Sequence, residues 1–165
     1  MNQIKKYPLA LQLLMQTDGT VTELIKLLAN EDIKVIKLFE EIDSTTSHKI
    51  LHRHIYLQGN QTKINWLFAQ SKIYLNNLPI DFVNDLLHAS IPIGSLWLKY
   101  KTETFKQVIS KHQSESKGLQ ESGFEEGVQV LSRTYHVFSQ SELIMELNEN
   151  FPIDQYEGLI NDSPD

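Results

Sequence analysis

Apolar and polar positions alternate along this chain in two different rhythms, and the switches between them outline its elements. Pro8 to Gln16 repeats leucines at helical spacing and ends at Asp18-Gly19. Thr20-Val21-Thr22-Glu23 fits a capping box, with Thr20 as N-cap and Glu23 three residues on. The helix that follows, to about Asn30, turns Val21, Leu24, Ile25 and Leu28 to one face. Ile33 to Phe39 alternates as a strand does, and Asp43 to His48 is a loop. Strands are predicted over 50–57 and 63–71, joined through Gln58-Gly59-Asn60, with Ile64, Trp66 and Phe68 as the bulky face of the second. Asn76 to Pro79 turns into a helix reaching about Ala89, whose packing stripe is Phe82, Val83, Leu86 and Leu87. Ile91-Pro92-Ile93-Gly94 is a tight connection into a helix to about Lys111, carrying Leu96, Trp97, Tyr100, Phe105, Val108 and Ile109. His112 to Gly127 is polar and rich in Gly and Ser, which predicts a mobile loop or lid. Strands over 131–138 and 142–149 form a hairpin through Ser139-Gln140-Ser141.

This order predicts an α+β fold with a mainly antiparallel sheet, helices packed on one face and an enclosed ligand pocket. Residues 1–152 read as one domain, and 153–165 as an acidic tail that frays. At 165 residues and 41% apolar content the chain has enough material for one real core. The formal charge of −6, with no basic stripe, argues against nucleic acid as a partner. Without cysteine there is neither disulfide nor thiolate chemistry. No apolar run approaches the ~20 residues needed to cross a bilayer, so no membrane partner is expected. Lys5-Lys6 followed by Pro8 to Met15 imitates a signal peptide, but Gln12 breaks its apolar stretch and an amphipathic helix explains it better.

Charge changes the picture at three positions. The chain has thirteen lysines and two arginines, and both arginines fall on apolar strand faces. Arg53 shares a face with Leu51, Ile55 and Leu57, and Arg133 with Leu131, Tyr135 and Val137. On 142–149, parity sends Glu149 to the side of Leu143, Met145 and Leu147, and sends Glu146 to the other. A guanidinium does not lose its proton, so burying one requires an anion. Parity alone fits two arrangements: an Arg–Glu pair that ties strands together, or an internal pocket for a small acid. Tyr135, on the Arg133 face, could donate to such a ligand or simply fill the core.

Other chemistry finds little support. His52 and His54 lie opposite Arg53, and His136 lies on the corresponding outer face of its strand. Three histidines could bind zinc, but solvent-facing histidines are the better reading, and no metal is expected. Neither a nucleophile elbow nor a phosphate-cradling glycine loop occurs.

Five short motifs, in order, resemble those of the chorismate pyruvate-lyase family, especially its bacterial, cyanobacterial and plastid-encoded branch. They are Arg53-His54-Ile55-Tyr56-Leu57, Ala69-Gln70-Ser71, Pro92-Ile93-Gly94, Arg133-Thr134-Tyr135, and the run from Met145 through Glu149 to Phe151-Pro152. The opening Asp18-Gly19-Thr20-Val21-Thr22 is similar too. The resemblance covers residues 8 to 152. It implies a cofactor-independent lyase that converts chorismate to 4-hydroxybenzoate and pyruvate, feeding prenylquinone synthesis in a plastid stroma or bacterial cytoplasm. It makes Arg53 the clamp on the ring carboxylate and Glu149 the acid/base group. Arg133 would meet the second carboxylate or orient Glu149, and Val21 and Ile93 would line the pocket. The same fold serves ligand-sensing domains of transcription regulators, so an aromatic-acid-binding protein without turnover is the alternative. The chain departs from the pattern at His54, where a Glu usually follows the Arg, and at Gln70. The segment after Gly94 offers only Lys99, Lys101 and Lys106 where an Arg is often found.

Overall fold

A computed structural model describes residues 6–45, 47–89 and 91–160. Lys5 of the signal-like start, and the last five residues of the expected tail, lie outside them. Six strands form one antiparallel sheet: β1 (Ile33–Asp43), β2 (Ile50–Gly59), β3 (Asn65–Tyr74), β4 (Phe105–Glu115), β5 (Gln129–Ser139) and β6 (Glu142–Pro152). Their spatial order is β1-β2-β3-β6-β5-β4, so β1 and β4 are the edges. The β5–β6 hairpin turns through Gln140 and Ser141, both at positive φ (50° and 68°). Two successive positive φ values suit the twist of a tight hairpin.

Four helices cover one face of this sheet: α1 (Leu9–Gln16), α2 (Val21–Ala29), α3 (Ile80–His88) and α4 (Ile93–Lys99). Leu11, Leu14 and Ile25 of α1 and α2 pack with Leu57, Leu67 and Phe151 of the sheet. Phe82, Leu86 and Leu96 of α3 and α4 pack with Leu51, Ile73 and Val137. Fully burying each such side chain is worth about 1.5–3 kcal/mol. Thr20 precedes α2 as expected, yet its side chain makes no capping bond. Its Cβ and methyl sit instead over Gly94 at the start of α4, where an added Cβ would lie only 2.9 Å from that methyl.

The structure corrects four expectations. The helix from Pro92 stops at Lys99, because Lys101 takes a left-handed φ of 48° and the amides of Lys101 and Thr102 return to Leu98 and Trp97. That is a Schellman end built without glycine. Residues 105–115 are strand β4, with Phe105 and Ile109 exposed.

The expected lid over 112–127 is therefore partly β4. The rest is a packed turn with the short α5 (Leu119–Ser122), where buried Ser116 donates to the Phe124 carbonyl at 2.8 Å. This turn lies on the opposite sheet face, and Phe124 and Val130 bury Phe68 there. Phe68 is thus parted from Trp66, which joins the helix side. A register shift between Leu57 and Gln58, where β2 meets β3, separates the two.

Finally, the chain beyond Pro152 does not fray at once. Ile153–Tyr156 forms a 3-10 turn, and the buried Tyr156 hydroxyl donates to the Trp66 carbonyl at 2.6 Å.

Candidate functional site

Two rungs of paired residues cross the sheet on the helix-covered face, continuous through β2, β3, β6 and β5 and shifted by a residue at the β1 and β4 edges. Ile55, Ala69, Glu149, Arg133 and Lys111 form one rung across the sheet. Glu40, Arg53, Ser71, Leu147, Tyr135 and Val108 form the next. Between this face and the starts of α2 and α4 lies a cavity of about 70 Å³. Its wall includes Val21, Ile55, Ile93, Trp97, Lys106, Tyr135 and Glu149. The lining is apolar apart from a few polar groups, as small-molecule sites generally are, but its volume is well below the ~300 Å³ of the smallest usual ones.

Glu149 faces this cavity and is 4% exposed. Its neighbour in sequence, Glu146, points the other way, taking the Tyr74 hydroxyl and lying 3.8 Å from His136. Arg133 donates to Glu149 Oε2 through Nε at 3.1 Å and Nη2 at 2.7 Å. Its Nη1 donates to the carbonyls of Leu14 and Thr17 at the end of α1, at 2.9 and 3.1 Å. The Tyr135 hydroxyl donates to Glu149 Oε1 at 2.8 Å. Burial, reinforced by the Glu149 charge, pushes the Tyr135 phenol well above its ordinary value. Burial is the largest influence on Arg133 and works to lower it, but the Glu149 charge and hydrogen bond, with Tyr135 and Asp18, together hold the guanidinium above its ordinary range.

Arg53 is 3% exposed and does not line the cavity. The expectation that Arg53, Arg133 and Glu149 converge on one cavity is therefore met in its wall by Glu149 alone, with Arg133 held against it. Arg53 Nε lies 3.5 Å from Glu40 Oε2, near enough for attraction but not aligned as a hydrogen bond. Nε and Nη2 have no hydrogen-bond partner. Burial accordingly lowers the Arg53 pKa, partly opposed by Glu40. The two arginines thus differ: every nitrogen of Arg133 has a hydrogen-bond partner, whereas Nε and Nη2 of Arg53 have none.

Val21 and Ile93 open α2 and α4 and both line the cavity. The first amides of a helix have no acceptor within it. Lys106 is the residue that sequence reasoning misplaced, as one lysine of a helix. It reaches the cavity from β4, and only reading 105–115 as a strand would have revealed it. Among the described residues no cluster of three or more His, Cys, Asp or Glu could hold a metal ion, and no helix is long and apolar enough to cross a membrane.

Comparisons with known proteins point the same way. The family model described as chorismate pyruvate-lyase Rv2949c-like matches residues 15–158. A chorismate pyruvate-lyase of Mycobacterium tuberculosis is 23% identical over 178 residues, spanning 99% of this chain and 89% of that protein. One from Mycobacterium leprae is 29% identical over 115 residues, spanning 64% and 55%. Among solved structures, PhnF from Mycobacterium smegmatis superposes with a TM-score of 0.60 at 10% identity, over 84% of this chain and 66% of that one. Its effector domain alone superposes at 0.59 and 10% identity, over 83% and 90%. At that identity the two structures establish the fold alone.

Proposed function

The chain belongs to the Rv2949c-like chorismate pyruvate-lyase family, and from that premise we propose that it converts chorismate to 4-hydroxybenzoate and pyruvate. The observation that carries this reading is Glu149, an inward carboxylate on the wall of a mainly apolar cavity, gripped by Arg133 and Tyr135.

Chorismate has one carboxylate on its ring and another on an enolpyruvyl ether. In this reading the ring carboxylate meets the Arg53 guanidinium and the amides of Val21 and Ile93. A buried cation lacking acceptors is costly, so a carboxylate is favoured there. Because the cavity holds only about 70 Å³, the ligand must also part the helices above it. Glu149 takes the proton from the ring carbon bearing the hydroxyl. The C–H electrons complete the aromatic ring, and the C–O bond to the enolpyruvyl group breaks. The proton passes to the departing enolpyruvate, which becomes pyruvate. Atoms and charge balance without a co-reactant, so the protein need only hold the substrate and move one proton. Arg133 takes both lone pairs of Oε2, so Oε1, which accepts only the Tyr135 hydroxyl, is the oxygen with a lone pair left for the proton. Use of the product for prenylquinone synthesis, in a plastid or a bacterial cytoplasm, belongs to the same reading.

One observation favours a second reading, binding of an aromatic acid without turnover. Arg133 and Tyr135 already engage both oxygens of Glu149, which limits its freedom to carry a proton. Incubating the purified chain with chorismate and following 4-hydroxybenzoate separates the two. Product formation supports the lyase, whereas 4-hydroxybenzoate binding without formation leaves only the second reading.

A further inference from the structure

Lys106 is the one cationic side chain among the described residues that line the cavity. It enters from β4, the sheet edge opposite the β2 side that carries Arg53. Its Nζ donates to the Gly19 carbonyl at 2.9 Å and stands 5.5 Å from the centre of the Tyr135 ring. Among the described residues no carboxylate forms an ion pair with it. The nearest opposite charges act only at a distance. Burial lowers its pKa, Glu149 and Asp18 oppose that, and Arg133 adds to it.

Strand order gives these facts a direction. Arg53 on β2 and Lys106 on β4 flank Glu149 on β6, with β3 on one side of it and β5 on the other. Four strand spacings of about 4.8 Å separate the two backbones by roughly 19 Å. Lys106 lines the cavity and Arg53 lies outside its wall, so a ligand that reaches both must first part the helices, as the lyase reading already requires. A cyclic dianion spanning both cations lays its ring across β6, where Glu149 is.

We propose that Lys106 is a second carboxylate anchor, which binds the ether carboxylate of the substrate and gives the site its preference for dianionic over monoanionic cyclic acids. The identity of that second carboxylate rests on the lyase reading; the preference itself does not.

The test uses 3-(carboxymethoxy)benzoate, which carries a second carboxylate on an ether beside the ring, and 3-methoxybenzoate, which lacks it. Both are titrated into wild type, Lys106→Gln and Lys106→Arg by calorimetry. Wild type should bind the dianion about 10- to 100-fold more tightly, the scale of one charge-assisted hydrogen bond. Lys106→Gln should lose that preference at unchanged affinity for the monoanion, and Lys106→Arg should keep most of it. The proposal is overturned if Lys106→Gln retains the preference, or if wild type has none. It is also overturned if both ligands weaken equally, which would make Lys106 only a prop for the Gly19 turn. Wild-type turnover of chorismate, measured in parallel, decides the lyase reading by itself.

Discussion

Arg133 and Glu149 face each other across β5 and β6, and Arg133 closes on one carboxylate oxygen with two nitrogens, at 3.1 and 2.7 Å. Both are buried, so each is the reason the other can carry charge there. Arg133→Met should cost about 3–5 kcal/mol of stability, because it strands a buried carboxylate. Adding Glu149→Leu to it should recover much of that loss. Denaturant unfolding of the two single variants and the double closes the cycle. A double variant no more stable than Arg133→Met would show that the pair is not the main tie.

Arg53 should behave in the opposite way. With Nε and Nη2 unpartnered, it contributes little to the empty protein. Arg53→Met should leave stability unchanged or raise it, yet abolish the thermal shift that the proposed function expects 4-hydroxybenzoate to cause in wild type. Arg53→Lys should also bind poorly, since a lysine lacks the two-pronged fork. Severe destabilisation with binding retained would reduce Arg53 to a partner of Glu40.

Glu149→Gln keeps the shape but cannot accept and return a proton. If the lyase reading holds, kcat should fall about a hundredfold or more while KM changes little. Tyr135→Phe should be milder in turnover and should cost about 1.5–3 kcal/mol of stability for the lost hydroxyl–carboxylate bond. Ultraviolet titration of the folded protein should lose no ordinary tyrosine ionisation in that variant, because burial and Glu149 keep the Tyr135 phenol neutral.

Acid stability should depend on Glu31. Its carboxylate takes the amides of Gln61 and Thr62 at 2.8 and 3.0 Å and the Thr62 hydroxyl at 2.5 Å, locking the β2–β3 turn. The Thr62 hydroxyl bond, then the two amides, hold its pKa at about 2, against an ordinary 4.5. The native state therefore binds its proton later than the unfolded chain does. This stabilisation is fully present above pH 4.5 and is lost as pH falls through about 2. Unfolding curves for wild type and Glu31→Gln should differ at pH 6 and converge near pH 2. A constant gap across that range would show that the charge is not what matters.

Gly94 and Thr20 meet on the cavity wall, between the starts of α2 and α4. A Cβ at Gly94 would sit 2.9 Å from the Thr20 methyl and 3.0 Å from its Cβ. Thr20 is branched and stiff, so Gly94→Ala should cost about 1–3 kcal/mol by overpacking. It should also speed ligand release, measurable by stopped-flow displacement. Thr20→Ser, which removes the methyl, should restore stability in the Gly94→Ala background.

Strand parity made the inward set legible before any coordinates. Arg53, Arg133, Tyr135 and Glu149 fall on one face because the register is continuous around them; the shifts lie further along, at Leu57/Gln58 and Val137/Phe138. What parity could not supply was pairing: nothing in the text says that Arg133 finds Glu149 while Arg53 is left beside Glu40. The Phe105, Val108 and Ile109 spacing imitated a helix because these side chains are exposed on an edge strand and answer to no core. The stop at Lys101 carries no glycine, so the helix end was invisible as well. Those two misreadings together hid Lys106. Trp66 and Phe68 were put on one face because a register slip leaves no mark in the residues themselves.

The rung that joins Ile55, Ala69, Glu149 and Arg133 has a consequence for how such a chain can change over generations. Side chains around the cavity can be exchanged one at a time, each at a modest cost. Between Leu143 and Met145 the β6 register already shifts by one residue, but a single codon gained or lost between Met145 and Glu149 would turn Glu149 outward and bring an asparagine into its place. Drift in spelling is tolerable here, and drift in length is not. Lineages should therefore accumulate their insertions in the turns and at the register shifts, and keep the count of residues from Met145 to Glu149 fixed.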